Sequence, residues 1–397
     1  MTSTLVHSNG SANGNAVPPV YNSDLDVSKL RITLAESLKP IPPADELVFG
    51  KTFTDHMLVA SYDPVNGWSA PEIKPYGPLS LDPASSCFQY STNIFEGMKA
   101  YIGVDGKPRL FRPEMNMARM KRSADRIALP PFSVDAVLEL IKKIVTLEQR
   151  WIPNKTGCSL YIRPTVIGTR PNLGVRASDS ALLYIILTPA GPFFRTGPRP
   201  ISLLAVGDSV RAWPGGTGGH KLALNYASTF KPQQYAEKLG YEQVLWLLQG
   251  TVTEAGAMNF FVVLKRDDGD WDVITAPLDG TILPGVTRDS CLALIGAHPS
   301  RTHLPHLPSS LRLYPQERSF TITDIFTWHA EGRLLEAFAA GTAMIVGSVC
   351  RIGHEGKDIV LPEYEAGRGP VAQALYERIL DIQEGRVEWD GWSVVCE

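Results

Sequence analysis

A glycine-rich segment that leads into a lysine is the part of the sequence best suited to chemistry. Four of the five residues 215–219 are glycine, Lys221 comes next but one, and Tyr226 lies five positions further on. Because glycine has no Cβ, the backbone here can come close to a ligand or to another strand. A lysine held at such a place suggests Schiff-base chemistry, since its amine forms imines with carbonyl compounds and burial lowers its pKa enough to leave it reactive.

Two other interpretations compete with a reactive lysine. In a phosphate-binding P-loop, glycine stands directly before the lysine, and serine or threonine directly after it. Here the neighbours of Lys221 are His220 and Leu222, which disfavours nucleotide triphosphate binding. The other alternative is a glycine-rich turn with an exposed lysine, and the residues alone leave it open.

The composition is that of an ordinary globular protein. Of the 397 residues, 44% are apolar and 20% are charged, which excludes a mainly disordered or fibrous chain. At ~150 residues per domain, the length predicts two or three domains. The formal net charge is only −3, so we expect neither nucleic acid nor a membrane surface as a partner.

The cysteines are few and widely spaced. They form no CxxC pair, and no cysteine–histidine group has the spacing of zinc ligands, so we expect no metal site. A low, odd number of cysteines is typical of a reducing compartment. The five are Cys87, Cys158, Cys291, Cys350 and Cys396.

The N-terminal residues predict a tail and a cytoplasmic location. The first 30 residues are rich in serine, asparagine, threonine and glycine, contain no arginine, and have Lys29 as their only lysine. A secretory signal needs a positive start before an apolar run, and a mitochondrial presequence is arginine-rich and poor in acids, whereas Asp24 and Asp26 lie here. We therefore interpret residues 1–46 as a disordered tail. The most apolar stretch, residues 181–194, is too short to span a bilayer and is predicted to be buried core.

Hydrophobic periodicity predicts a mixture of helices and strands. Apolar residues recur at helical spacing in residues 116–129, in residues 134–145 after the candidate N-cap Ser133, and in residues 371–382. Short apolar runs punctuated by glycine and proline predict strands. These runs are residues 159–163, 182–188, 202–206, 244–248 and 260–264.

The order of these elements predicts an α+β fold with two domains. Strands and helices are mixed in both halves of the chain without regular βαβ spacing. Residues 191–200 contain three prolines and two glycines, which is typical of an interdomain linker. We therefore expect a small N-terminal α+β domain at residues 47–190 and a larger C-terminal domain at residues 201–397.

The lysine segment resembles the active-site lysine region of the branched-chain aminotransferases, which are pyridoxal-phosphate enzymes of fold type IV. Eight further runs are similar to that family and occur in the family's order from about residue 47 to the C-terminus. The residues in these runs are most similar to those of the fungal enzymes. The runs are residues 49–57, 95–101, 110–113, 116–120, 159–164, 253–259, 282–289 and 341–343.

The resemblance implies that pyridoxal 5'-phosphate is the cofactor and that the C-terminal domain binds it. Lys221 would hold it through an imine and, once released, would move the proton of the substrate. Tyr226 would donate its hydroxyl to the phenolic oxygen. Glu254 would keep the ring nitrogen protonated, which makes the ring an electron sink.

The same resemblance implies a phosphate site. Residues 284–287 precede a predicted helix, whose free N–H groups and positive dipole end suit an anion. Val286 and Thr287 would supply backbone donors, Thr342 a hydroxyl, and Arg119 a positive charge.

On the substrate side, the resemblance implies an apolar pocket with one cation. Arg163 would bind a side-chain carboxylate, and backbone N–H groups near Thr342 and Ala343 would bind the α-carboxylate. The aromatic residues of the pocket would be Tyr90, Phe95, Tyr161 and Phe49, the last of which could come from across a dimer interface.

The expected enzyme is a branched-chain-amino-acid transaminase that acts on leucine, isoleucine and valine with 2-oxoglutarate, as a homodimer. A D-amino-acid aminotransferase and an aminodeoxychorismate lyase are the nearest rivals of the same fold. Two further alternatives stay open: a paralogue in a secondary-metabolite pathway, and a non-catalytic protein that acts by binding.

Several residues depart from the family pattern. Ala223 and Leu224 stand where the family often has two glycines, and Ala257 replaces a usual threonine. Met344 and Gly347 stand where mammalian relatives have a CxxC redox switch. These changes leave the cofactor residues intact but put the substrate preference in doubt.

Overall fold

Two β-sheets organise the molecule. The computed structural model describes residues 24–194, 197 and 199–397. The ten strands of the first sheet come from residues 31–190 and from the C-terminal end, and the nine of the second come from residues 201–360. In chain order the strands are β1 (Arg31–Ile32), β2 (His56–Asp63), β3 (Gly67–Trp68), β4 (Glu72–Pro75), β5 (Asn93–Phe95), β6 (Met98–Ile102), β7 (Pro108–Phe111), β8 (Ser159–Gly168), β9 (Ala181–Ala190), β10 (Ile201–Val206), β11 (Gln243–Leu248), β12 (Thr251–Ala255), β13 (Met258–Lys265), β14 (Trp271–Thr275), β15 (Leu313–Glu317), β16 (Leu334–Gly341), β17 (Ile345–His354), β18 (Lys357–Val360) and β19 (Ser393–Val395).

Helices cover these sheets. Ser133 caps α3 as the sequence predicts, since its side-chain oxygen accepts a hydrogen bond from the Ala136 N–H at 3.1 Å. Two short 3₁₀ helices, Val27–Lys29 and Gln149–Trp151, lie beside them. The α-helices are α1 (Ser86–Tyr90), α2 (Pro113–Arg126), α3 (Val134–Leu147), α4 (Leu224–Ala227), α5 (Phe230–Lys238), α6 (Val286–Ala297), α7 (Ile322–Ala330) and α8 (Pro370–Gln383).

The first sheet runs in the order β1-β4-β2-β9-β8-β6-β7-β19, with β3 beside β2 and β5 beside β8. Its central pair, β8 and β9, is antiparallel over ten residue pairs from Ser159↔Ala190 to Gly168↔Ala181. The helices α2 and α3 pack against this sheet and close one core, in which Met120, Leu140 and Ile144 are fully buried. The apolar periodicity of both helices thus faces the sheet, as the spacing predicts.

Six strands of the second sheet close into a ring, because β12 pairs with both β11 and β13 while β10, β17 and β16 complete the circuit. Alternate residues of β13 pack into two different hydrophobic cores. Phe261 and Val263 pack with α6 and α8, and Phe260 and Val262 pack in a second cluster. Strand periodicity therefore buries both faces of β13.

The last helix and strand tie the two halves together. The predicted closing helix is confirmed as α8, and Glu336 of β16 accepts hydrogen bonds from the Val371 and Ala372 N–H groups at its N-terminus, at 2.8 and 3.2 Å. After α8 the chain returns to the first sheet, where β19 pairs with β7. The division near residues 191–200 thus separates the sheets, although the C-terminal strand crosses back.

The predicted tail is wrong over its second half. Residues 24–46 are part of the folded structure: β1 pairs with β4, and the Ala35 N–H donates to His56 Nε2 at 2.9 Å. Residues 1–23 lie outside the described residues. Leu30, Ile32 and Leu34 alternate with Arg31 and Thr33, a pattern typical of a strand, whereas the prediction of a tail rests on the polar composition of the first 30 residues. In the described part of the chain, no helix combines the length and apolar character needed to cross a membrane.

Candidate active site

The backbone around Lys221 is held between the first sheet and α2. The Lys221 N–H donates to Ser123 Oγ at 2.9 Å, and its carbonyl accepts from the Phe95 N–H at 3.3 Å. The Ala223 N–H donates to the Asn93 carbonyl at 3.0 Å. These bonds fix the root of the Lys221 side chain between the two halves of the molecule.

The glycines before Lys221 allow a close backbone approach, as the sequence predicts. The Gly219 N–H donates to the Gly280 carbonyl at 2.8 Å. A Cβ added at Gly218 would lie 2.3 Å from the Thr281 carbonyl oxygen. Gly218 and Gly219 are therefore packed backbone to backbone against residues 280–281, and a larger residue at position 218 could not be accommodated.

The Lys221 amine points at Tyr226. Its Nζ lies 3.3 Å from the Tyr226 hydroxyl and 5.0 Å from the ring centroid of Phe95. Tyr226 is brought there by α4, the single helical turn that follows Lys221. The predicted pair of Lys221 and Tyr226 is thus adjacent in space, and the interpretation of an exposed lysine on a turn is not supported.

Glu254 lies on β12 and is almost fully buried, with 1% of its surface exposed. Its Oε1 accepts from Asn259 Nδ2 at 3.0 Å and from the Leu283 N–H at 3.3 Å. Arg211 Nη1 lies 2.7 Å from Oε2, but no hydrogen bond of good geometry reaches that oxygen. Burial raises the pKa of Glu254, and the charge of Arg211 only partly opposes this. A cationic N–H donor beside Oε2 would satisfy the carboxylate.

Arg119 lies on α2 and joins the two halves. Its Nε and Nη2 both donate to Glu96 at 2.7 Å, while Nη1 donates to the Pro284 carbonyl at 3.0 Å. Burial alone would raise the pKa of Glu96, but the charge and hydrogen bonds of Arg119 outweigh it and hold that pKa below the usual range.

The bond to Pro284 places the guanidinium beside the loop that opens α6. That helix begins at Val286, and Gly285 occupies its N-cap position in extended conformation. Val286 and Thr287 are therefore first-turn residues, whose N–H groups have no partner within the helix. A cation and the positive end of a helix dipole meet at this loop, which suits a phosphate group.

The aromatic residues of the predicted substrate side form a chain of contacts. The rings of Phe95 and Tyr226 have centroids 5.2 Å apart, and the guanidinium of Arg163 lies 4.7 Å from the Phe95 centroid. Arg163 Nη2 donates to the Tyr161 hydroxyl at 3.2 Å. Phe49 meets Tyr161 edge-on at 4.8 Å within the same chain.

Two cavities lie beside these contacting side chains. One, of about 330 Å³, is lined by Arg211, Tyr226 and Ala257. The other, of about 340 Å³, is lined by Phe49, Tyr161 and Ala343 among other residues. The absence of a Cβ at Gly97 makes room for this arrangement, since one would lie 2.0 Å from the Tyr161 hydroxyl.

Two predicted residues are not joined to the others by side-chain contacts in the described chain. Tyr90 is 36% exposed, and its hydroxyl donates to the Leu173 carbonyl. Thr342 lies with Ala343 in the turn between β16 and β17, and it is partly exposed.

The sequence reasoning missed Glu96, Arg211 and Ser123. All three lie inside or beside runs that it singled out, but they act through buried contacts with another predicted residue. The signal for Glu96 was a lone acid within an otherwise apolar strand region, in residues 93–102. Arg211 lies four positions before the glycine-rich residues 215–219, and nothing in its local pattern distinguishes a buried arginine from a surface one.

These residues fit the cofactor that the sequence implies. Pyridoxal phosphate needs an amine, an anion beside its ring nitrogen and a cationic phosphate site. The chain offers Lys221, the under-bonded oxygen of Glu254, and the loop at Val286 beside Arg119. The cavity lined by Tyr226 and Arg211 is close to two of these groups, since Tyr226 contacts Lys221 and Arg211 contacts Glu254.

Comparison with known proteins decides the family. The family model described as amino-transferase class IV matches residues 93–352, which is more than half of the chain. The cytosolic branched-chain-amino-acid aminotransferase of Saccharomyces cerevisiae is 46% identical over 375 residues, covering 94% of this chain and 97% of that protein. The chain belongs to this family of class IV aminotransferases.

Other relatives agree with this assignment. The mitochondrial branched-chain-amino-acid aminotransferase of Schizosaccharomyces pombe is 44% identical over 373 residues, covering 93% of this chain and 85% of that protein. A cytosolic aminotransferase of the same name from Mus musculus is 43% identical over 368 residues, covering 92% of each chain. The resemblance drawn from the sequence, including its fungal character, is confirmed.

Solved structures confirm the fold. The branched-chain aminotransferase of Thermoproteus uzoniensis, crystallised with norvaline, superposes with a TM-score of 0.66 at 22% identity, covering 86% of this chain and 100% of that one. The branched-chain amino acid aminotransferase of Escherichia coli gives a TM-score of 0.64 at 20% identity, covering 86% of this chain and 99% of that one. A further branched-chain amino acid aminotransferase, crystallised with pyridoxamine 5'-phosphate, gives a TM-score of 0.65 at 23% identity, covering 86% and 98%. The predicted α+β fold of type IV is therefore correct.

The aminotransferase should be insensitive to mild peroxide. Met344 and Gly347 stand where the resemblance implies the two cysteines of a redox switch in mammalian relatives. A Cβ at Gly347 would lie 1.8 Å from the Met344 sulfur, so Met344 fills the space above that glycine. Burial raises the pKa of the nearby Cys350 thiol, which slows its oxidation because the thiolate is the reactive form. We expect unchanged activity after peroxide treatment. Reversible inactivation that dithiothreitol rescues would contradict this, and Cys350→Ser would then test the responsible thiol.

Proposed function

We propose that the protein transfers the amino group of leucine, isoleucine or valine to 2-oxoglutarate, with pyridoxal 5'-phosphate bound at Lys221. The observation that carries the proposal is the placement of Lys221 Nζ, 3.3 Å from the Tyr226 hydroxyl and close enough for its charge to act on the buried Glu254. Curated relatives at 41–46% identity share the name branched-chain-amino-acid aminotransferase.

The bound cofactor would supply a carbonyl group for the amine and an electron-accepting ring. Lys221 would hold it covalently, and Tyr226 would donate its hydroxyl to the phenolic oxygen. Glu254 Oε2, the oxygen that has no well-aligned donor from the protein, would accept a hydrogen bond from the protonated ring nitrogen. Arg211 lies on the same oxygen and would help to keep Glu254 ionised.

Lys221 would also be the proton carrier. A lysine released from its covalent bond remains tethered beside the reacting carbons, so its Nζ can take the proton from one carbon and return it to the other. The clamp on the Lys221 backbone from Ser123 and Phe95 fixes the point from which the side chain swings. The Cα of Lys221 therefore stays in place while the amine moves.

The phosphate would lie at the start of α6. The N–H groups of Val286 and Thr287 are unpaired within the helix, and Arg119 holds its guanidinium at the preceding loop through the Pro284 carbonyl. Glu96 keeps Arg119 in that orientation with two hydrogen bonds. Thr342 would add a hydroxyl from the turn after β16.

The substrate would enter the cavity lined by Phe49, Tyr161 and Ala343. Its apolar walls favour a short branched side chain. Backbone N–H groups at Thr342 and Ala343 would bind the α-carboxylate. Arg163 would bind the side-chain carboxylate of glutamate, since its Nε is buried without a hydrogen-bond partner.

A donor panel with 2-oxoglutarate tests the proposal. An apolar pocket separates substrates by only ~1–3 kcal/mol per methylene, about 10- to 200-fold. Leucine, isoleucine and valine should therefore all react within that span, and alanine more weakly. If aromatic or polar amino acids react faster than all three, the substrate assignment is overturned and a specialised paralogue is favoured. That result would leave the aminotransferase reaction standing.

Arg163→Gln should separate the two substrate classes. Loss of a charged hydrogen bond to a carboxylate costs ~1.5–3 kcal/mol, so kcat/KM for glutamate and 2-oxoglutarate should fall about 10- to 150-fold. Leucine has no side-chain carboxylate, and its half-reaction with the pyridoxal form should change by less than about threefold. Single-turnover absorbance measurements separate the two half-reactions. An equal loss for leucine and glutamate would show that Arg163 supports the fold rather than the carboxylate.

A homodimer and a cytoplasmic location belong to the same proposal. Leu173 and Val175 expose 63% and 85% of their surfaces near the Tyr90 hydroxyl, which supports a second chain covering this face. A dimer would bring such residues, Tyr90 included, towards a neighbouring active site. The curated relatives include enzymes named cytosolic and others named mitochondrial, so the location stays a prediction.

A further inference from the structure

A third cavity lies behind the substrate cavity. It has a volume of about 410 Å³ and shares Lys99, Phe193 and Ala343 with its neighbour. It is also lined by Arg368, Tyr376 and several apolar residues. None of the residues assigned to the cofactor lines it.

Lys99 projects from β6 into the wall between the two cavities. Only 9% of its surface is exposed, and its Nζ makes one hydrogen bond, to the Ala343 carbonyl at 2.8 Å. An ammonium group has three donors, so two remain for another partner. Burial lowers the pKa of Lys99 to about 8, and no carboxylate of the described chain lies within ion-pair distance to oppose this.

Arg368 lines the same cavity as Lys99. Its Nε donates to the Val346 carbonyl at 3.0 Å, its Nη1 donates to Gln373 Oε1 at 3.3 Å, and its guanidinium stacks on the Tyr376 ring at 3.7 Å. Burial lowers its pKa as well. These contacts fix the orientation of the guanidinium without neutralising its charge.

Lys99 is buried and Arg368 is half-buried, and neither forms an ion pair with a carboxylate in the described part of the chain, although the charge of Glu377 acts on Arg368. Cations in such surroundings favour a negatively charged partner. Among the described lining residues there is no aspartate or glutamate, whereas Phe193, Ile345 and Leu380 provide apolar surface. A ligand that suits this cavity therefore carries a negative charge and an apolar body. A zwitterionic amino acid suits it poorly, because its ammonium group would face two cations.

We propose that Lys99 and Arg368 form a second binding site, which adjoins the substrate cavity and shares Lys99 and Ala343 with it, for a small carboxylate with an apolar body and no amino group. The carboxylate lies between the two cations, and the hydrocarbon chain packs against Phe193 and Leu380. This site does not depend on the proposed substrate. A branched 2-oxo acid has the required chemistry, as does a simple branched fatty acid.

Equilibrium dialysis of the cofactor-loaded enzyme with radiolabelled 4-methylpentanoate tests the proposal. The wild type should bind two molecules per chain, one at the substrate site and one at the second site. Arg368→Met and Lys99→Met should each weaken one of the two by at least about tenfold, since a charged hydrogen bond is lost. Arg378→Met is the matched control, because Arg378 lies on the same helix but donates to Thr302 and His303 instead. It should retain both sites.

Two comparisons complete the test. The uncharged alcohol of the same carbon skeleton, 4-methylpentan-1-ol, should bind the second site at least tenfold more weakly than the acid. Cofactor content and melting temperature identify any variant that fails to fold. If one variant fails, the number of molecules bound per wild-type chain and the affinity of the other variant determine whether the second site exists.

The outcomes separate this proposal from the proposed function. One molecule per chain in both the wild type and Arg368→Met would overturn the second site and leave the substrate site intact. One in the wild type and none in Arg368→Met would support the second site and contradict the substrate site. Equal affinity for the acid and the alcohol would show an apolar cavity in which the cations do not act, and would also overturn the proposal.

Discussion

Lys221→Ala is expected to remove nearly all transamination. The lysine would be both the covalent anchor of the cofactor and the proton carrier, and loss of a positioned acid–base group alone costs about 10²- to 10⁴-fold. We expect kcat to fall by at least about 10⁴-fold. The absorbance band of the lysine-bound cofactor should disappear at the same time. Steady-state assays with leucine and the visible spectrum of the purified variant measure both.

The fold should survive this change. Lys221 is held by its backbone groups, which alanine keeps, and the side chain makes one polar contact, with Tyr226. Lys231→Ala, at an exposed lysine on α5, is the matched control and should leave rate and spectrum unchanged. Substantial activity of Lys221→Ala, with the absorbance band retained, would remove Lys221 from the active site.

Glu254→Ala is expected to lower the rate while the cofactor stays bound. Arg119 and the start of α6 would still hold the phosphate, so cofactor content should remain near one per chain. Without the carboxylate, the ring nitrogen loses its proton and the ring becomes a poor electron acceptor. Removal of one preorganised electrostatic group costs about 10²- to 10³-fold in kcat, and we expect a loss of that order.

Two further variants separate charge from shape. Glu254→Gln keeps an oxygen that can accept from Asn259 and Leu283, but it removes the negative charge, so it should be nearly as slow as the alanine variant. Glu331→Ala, at a surface carboxylate paired with Arg333, should have no effect. Near-normal turnover of Glu254→Gln would show that another group protonates the ring.

Local sequence patterns predicted the secondary structure around the site well. The helices α2 and α3 follow from their apolar periodicity, because each buries one face, and the strands β8, β9 and β13 follow from their short apolar runs. Gly218 and Gly219 also predicted the close approach that they make. These features depend on residues near one another in the chain, which a single sequence contains.

The contacts that hold the site in shape were not predictable in the same way. Glu96 and Arg119 are 23 positions apart, and Arg211 and Glu254 are 43 apart, so no local period links them. The start of the folded chain was misplaced for a different reason. Residues 30–34 alternate between apolar and polar types as a strand does, but this short pattern follows 30 residues of polar composition, and the composition decided the prediction.

The identity of the lysine that holds the cofactor is the central claim, and reduction of the enzyme with borohydride followed by peptide mass spectrometry tests it most directly. Reduction fixes the cofactor to the amine that holds it. We expect a pyridoxyl adduct on the peptide that contains Lys221. The main competitor is Lys99, which is buried and whose pKa is lowered to about 8. An adduct on Lys99 or on any other lysine, with Lys221 unmodified, would contradict the assignment.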